Sequence, residues 1–137
     1  MITTPLHDEL INSVKSIAVD AGSAIMDVYH TDYDIQIKTD NSPVTEADKK
    51  ANTIISNKLN QLTPDIPILS EEGRNIPFGE RVNWKYFWLI DPLDGTKEFI
   101  KKNDEFTVNI ALIENGKPIF GVVYAPALDL LYWGEVG

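Results

Sequence analysis

The chain has no cysteine, which excludes disulfides, thiolate metal sites and a cysteine nucleophile together. Histidine is nearly as scarce. His7 and His30 bracket the first helical stretch, far in sequence from the acidic motif described below, so Ser-His and phosphohistidine schemes have no support. Positive charge is also in deficit: 12 Lys and Arg against 21 Asp and Glu leave a formal net charge of −9. A surface of that sign repels a nucleic-acid polymer or an anionic membrane at long range, so an anion site here needs bound cations or aimed backbone amides. There is no apolar run long enough to be a transmembrane segment, and Met1-Ile2-Thr3-Thr4-Pro5 lacks the basic and apolar regions of a signal peptide. These absences predict a cytoplasmic protein and leave room for peripheral association with the inner membrane. What remains, 137 residues of which 43% are hydrophobic and 24% charged, suits one core-bearing soluble domain.

Leu6, Leu10, Ile11, Val14, Ile17, Ala18, Ala21, Ile25 and Val28 recur at three- and four-residue spacing, which predicts an amphipathic helix over residues 5–29. Thr4 is its expected cap, with Pro5 in the first position. A second stripe, Ala47, Ala51, Ile54, Ile55, Leu59 and Leu62, predicts another helix, opened by a capping box of Thr45 and Asp48. Strands are expected at 67–70, 85–90, 106–113 and 118–124, with a further one over 128–133; Asn115-Gly116 marks a hairpin between the third and fourth. Two helices followed by strands predict an α+β fold with both helices on one face of a mainly antiparallel sheet.

Chemistry concentrates at Asp91-Pro92-Leu93-Asp94-Gly95-Thr96. Tyr86 to Ile90 reads as a buried strand, so Asp91 falls at its end. Pro92 cannot donate to a ladder and Gly95 tolerates positive φ, and together they predict a tight turn that brings both aspartates to one point. Carboxylate oxygen suits a hard cation such as Mg²⁺, and Glu71, Asp91 and Asp94 with the Leu93 carbonyl form a candidate ligand set. The bland alternative is a plain Asp-Gly hairpin, with Glu71-Glu72-Gly73 a solvated turn. Gly95 and Thr96 could present amides to a phosphate at a short helix start, or Thr96 could simply cap that helix. Asp48 has two readings as well, capping acid or partner of Thr96 in deprotonating a water. One covalent route is disfavoured: it needs Asp-x-Asp-Gly-Thr, and the residue two before Asp94 is Pro92, which leaves in-line attack by water.

Three segments, Asn41-Ser42-Pro43-Val44-Thr45-Glu46-Ala47-Asp48, Leu69-Ser70-Glu71-Glu72-Gly73 and Trp88 to Phe99, resemble in order the amino-terminal motifs of the lithium-sensitive, Mg²⁺-dependent inositol monophosphatase superfamily. Glu105 to Leu112 and Gly121 to Pro126 are most similar to its 3'(2'),5'-bisphosphate nucleotidase branch. The resemblance implies the first domain of an αβαβα sugar-phosphatase-like fold and removal of the 3'-phosphate from adenosine 3',5'-bisphosphate in sulfur metabolism. It implies Mg²⁺ held by Glu71, Asp91, the Leu93 carbonyl and Asp94. It also implies catalytic roles for Asp48, Thr96 and Glu72, and substrate contacts from Glu71, Leu93, Asp94, Gly95 and Thr96. Inositol or sugar phosphate hydrolysis is the alternative within the family. The resemblance covers only the amino-terminal half of such proteins; the family's later Asp after Trp has no counterpart here, since Trp84, Trp88 and Trp133 precede Lys85, Leu89 and Gly134. Residues 1–137 alone are accordingly expected to be impaired and prone to self-association, with an inactive metal-binding or partner module as the non-enzyme reading.

Overall fold

The computed structural model describes residues 8–31, 43–70 and 84–136. In chain order the elements are α1 (Asp8–Tyr29), α2 (Pro43–Leu62), β1 (Ile68–Ser70), β2 (Tyr86–Asp94), α3 (Thr96–Lys101), β3 (Thr107–Glu114), β4 (Lys117–Ala125) and β5 (Leu130–Glu135). The strands form one sheet in sequential order, β1-β2-β3-β4-β5. Pairing is antiparallel except between β1 and β2, which run parallel. The α+β class and the mainly antiparallel sheet are therefore as expected.

Alternation in the strands explains the layering. Trp88, Ile90, Val108, Ile110, Leu112, Phe120, Val122 and Tyr124 are buried and occupy one face, since directly paired residues of neighbouring strands point the same way. Against that face lie the apolar stripes of α1 (Val14, Ala18, Ala21, Ile25) and α2 (Ala47, Ala51, Ile55, Leu59), in one continuous core. Alanine and glycine let the helices approach closely. At Gly22 a Cβ would fall 2.6 Å from the Tyr124 ring, so α1 packs on β4 with no room for a side chain there. Trp88 Nε1 donates to Thr63 Oγ1 at 2.9 Å, tying β2 to the end of α2. Trp88, Phe99 and Phe106 are fully buried, and truncating any one to Ala would cost about 3–5 kcal/mol.

Two local expectations need correction, and one alternative falls away. Thr45 and Asp48 do not open α2, which already begins at Pro43; proline suits the first helical position, where its missing N–H is not needed, and this moves Thr45 and Asp48 inside the helix. β2 does not end at residue 90 but continues to Asp94. The Asp94-Gly95 step leads into α3 and is not a hairpin turn. The hairpin expected at Asn115-Gly116 is present, with φ of 50° and 81° at those two residues, the left-handed pair that matches strand twist. Thr4, Pro5 and His7 lie outside the described residues; His30 is exposed.

Candidate active site

Pro92 and Leu93 are consecutive buried residues, which a regular strand alternating between two faces does not produce. The register shows the cause. Asp91 is opposite Asn109 and Asp94 is opposite Thr107, so three steps along β2 span two along β3, with a register shift between. This is a β-bulge, the extra residue that re-aims side chains. Proline is tolerated at such a point because no ladder bond is required of it. Asn109 and Thr107, two residues apart, share a face; Asp91 and Asp94, directly across from them, share it too. The tight turn predicted here is thus a bulge inside the strand, which places both carboxylates on the sheet face opposite the two long helices.

On that face two register rows run across the sheet: Leu89, Ala111, Gly121 and Gly134, then Asp91, Asn109, Val123 and Tyr132. Ala111 and Gly121 of the first row form the floor of a concavity of about 360 Å³ whose lining includes Asp91, Asp94 and Asn109. Val123 and Tyr132 stand 40% and 63% exposed beside it. Asn109 Nδ2 donates to Asp94 Oδ2 at 3.1 Å, and Thr107 Oγ1 donates to Asn109 Oδ1 at 3.1 Å. Neither Thr107 nor Asn109 was singled out as a site residue from sequence. Their polar side chains alternating with Val108 and Ile110 marked a face, but not which carboxylate they would meet.

Gly95 ends the bulged strand with φ 94° and ψ 49° and caps α3. Its carbonyl accepts the Phe99 N–H at 2.9 Å, so Thr96 is the first helical residue and not the cap, and its side chain is exposed. The far end of α3 is held to α1. Tyr29 OH donates to Asp104 Oδ1 at 2.7 Å and accepts from Asp104 N at 3.1 Å. Lys102 Nζ donates to the Thr31 carbonyl at 2.9 Å. Phe99 and Phe106 pack on the Tyr29 ring, fixing the position of the turn that starts at Gly95.

Asp48 is the one buried charged side chain among the described residues, 8% exposed. The residue has an interacting partner, while its Oδ1 is shielded from solvent and accepts no hydrogen bond there. α2, which carries it, packs against both β2 and α3. Glu71 and Glu72 lie outside the described residues, so their expected convergence with the aspartates is not part of this geometry. Among the described residues no group of three His, Cys, Asp or Glu is placed to hold a metal; the bulge supplies two carboxylates. No described helix is long and apolar enough to cross a membrane.

Residues 6–137 match the model of the inositol monophosphatase family. The chain belongs to this family. It is 56% identical over 132 residues to the 3'(2'),5'-bisphosphate nucleotidase CysQ of Escherichia coli K12, covering 93% of this chain and 52% of that protein. To the Haemophilus influenzae protein of the same name it is 44% identical over 128 residues, covering 93% and 48%. Among solved structures, CysQ from Bacteroides thetaiotaomicron superposes with a TM-score of 0.84 at 45% identity, over 92% of this chain and 45% of that one. The family member inositol monophosphatase II from Staphylococcus aureus superposes with a TM-score of 0.79 at 27% identity, over 96% and 48%. The chain thus spans about half the length of these relatives.

Proposed function

We propose that the protein of which this chain forms at least a part is a Mg²⁺-dependent 3'(2'),5'-bisphosphate nucleotidase that removes the 3'-phosphate of adenosine 3',5'-bisphosphate in sulfur assimilation. The observation that carries this reading is the bulge at Pro92-Leu93, which sets Asp91 and Asp94 on one face beside the start of α3. The naming of the CysQ relatives supports the nucleotidase branch. Identity to the inositol phosphatase structures is lower, which favours a nucleotide over inositol or a sugar phosphate.

The residues fit a hard cation in the chemistry of their donors, which are all oxygen. Asp91, Asp94 and the Leu93 carbonyl would hold it, joined by Glu71, which follows Ser70 in sequence. Bound there, Mg²⁺ supplies the Lewis acidity that offsets phosphate charge and lowers the pKa of a water. Gly95 and Thr96 contribute amides to the phosphate. Thr96 Oγ1 orients the attacking water, and Asp48, with Glu72, takes its proton. Residues 1–137 on their own are expected to turn over little or no substrate.

The test measures phosphate release from adenosine 3',5'-bisphosphate and from inositol monophosphate by this chain extended with a family-like carboxy-terminal half, beside residues 1–137. Activity should require Mg²⁺, favour the nucleotide, and vanish in Asp91→Asn and Asp94→Asn variants that still fold. Undiminished turnover after chelation, or in both variants, refutes the metal assignment. A preference for inositol monophosphate moves the protein to the other branch.

A further inference from the structure

Asp94 is exposed at the rim of the sheet, and an exposed carboxylate rotates freely unless a neighbour fixes it. Asn109 does so. It stands across from Asp91 in the ladder and reaches diagonally to Asp94, donating from Nδ2 to Oδ2 at 3.1 Å. The amide is oriented in turn by Thr107, whose hydroxyl donates to Asn109 Oδ1 at 3.1 Å. With Asp94 ionised only this orientation works, because the flipped amide would turn its oxygen on the carboxylate.

We propose that Asn109 is a positioning residue for cation binding, holding Asp94 Oδ2 so that Oδ1 is the oxygen presented to the ion, with Thr107 locking the amide. This rests on the reading above that Asp91 and Asp94 hold a hard cation. Partners that orient a ligating carboxylate typically matter 10–100-fold, roughly, in metal affinity or activity. Neither Asn109 nor Thr107 belongs to the helix-facing core, so their effect should appear in affinity rather than in stability.

The experiment titrates Mn²⁺, as a spin-active hard cation, into residues 1–137 by electron paramagnetic resonance, with melting temperature recorded for each variant. Asn109→Ala should weaken Mn²⁺ binding by roughly 10-fold, and Thr107→Val should weaken it in the same direction by less, both with near-unchanged melting. Asp94→Asn is the control for the metal reading. If Asp94→Asn loses the ion while Asn109→Ala and Thr107→Val bind as the unaltered chain does, the positioning role is wrong and the metal reading stands. If the unaltered chain binds no Mn²⁺, or if Asp91→Asn and Asp94→Asn both leave binding intact, the metal reading fails and the positioning role fails with it. Should Asn109→Ala melt markedly lower, Thr107→Val, which leaves Asn109 in place, decides alone: unchanged affinity there overturns the proposal.

Discussion

Gly95 and Gly116 both have left-handed backbones, with φ of 94° and 81°, yet replacing each by alanine should have different consequences. Forcing a residue with a Cβ into that region costs about 1–2 kcal/mol at either position. At Gly116 nothing lies within 4 Å of the added carbon, so the conformational term stands alone. At Gly95 the carbon would lie 3.2 Å from the Glu105 carbonyl oxygen and from Phe106 Cα, and 3.3 Å from Glu98 Oε1. The glutamate can swing away; the two backbone atoms cannot, since Phe106 is wholly buried. Crowding of this kind adds about 1–3 kcal/mol, so Gly95→Ala should cost about 2–5 kcal/mol against about 1–2 for Gly116→Ala. Domain stability is only about 5–15 kcal/mol in total, which makes the difference large in urea unfolding followed by tryptophan fluorescence. Equal midpoints for the two variants, at equal slopes, would show that Gly95 is needed only for its φ and that the close approach of strand and helix start does not matter.

Gly22→Ala pits a helix-propensity gain of about 1 kcal/mol against a Cβ placed 2.6 Å from a Tyr124 ring that is itself held by a 2.8 Å bond to Asp129; overpacking at about 1–3 kcal/mol should win, and a raised melting temperature would contradict the packing described. Asp48→Asn removes the charge of a residue that lies inside α2 rather than at its cap, so in the extended, active enzyme kcat should fall roughly 100-fold or more with little change in melting; lost stability with retained kcat would assign Asp48 a structural role. Burial, then the hydrogen bond to Asp129 and its charge, push the Tyr124 phenol above its ordinary value. The fold therefore favours the neutral phenol, and the stability it contributes is complete below pH about 10 and lost as pH rises through the raised value. Melting temperature against alkaline pH should fall less steeply in Tyr124→Phe, and identical slopes would refute the linkage.

The helices were legible because their apolar stripes are local and unbroken: Ile11, Val14, Ala18, Ala21 and Ile25 name the buried face of α1 from spacing alone. Asn115-Gly116 was equally legible, since its turn chemistry lies within two residues. The starting point of α2 was misread because Thr45 and Asp48 imitate a cap one turn inside the helix, while Pro43 was the better signal. Pro92 was read as ending β2, a fair rule for a central strand. At that point, however, a bulge removes the need for an N–H. The parallel register of β1 and the Asn109–Asp94 bond were beyond reach of one sequence, because both depend on which residues of distant segments are brought side by side. The acidic pair was legible as a motif, whereas its common face depends on the extra residue between Asp91 and Asp94.

That extra residue makes the site depend on chain length as much as on chemistry. Deleting Pro92 or Leu93 would leave both aspartate side chains and the net charge unchanged, but would remove one backbone carbonyl from between them. It would also restore plain two-residue alternation to β2. Asp91 and Asp94 would then be two apart, still opposite Asn109 and Thr107 and on one face, because the bulge spends three steps of β2 on two of β3; what is lost is the local bend of the strand and the extra carbonyl between the carboxylates. Among related sequences, substitutions at 92 and 93 should therefore be tolerated far more readily than any change in their number.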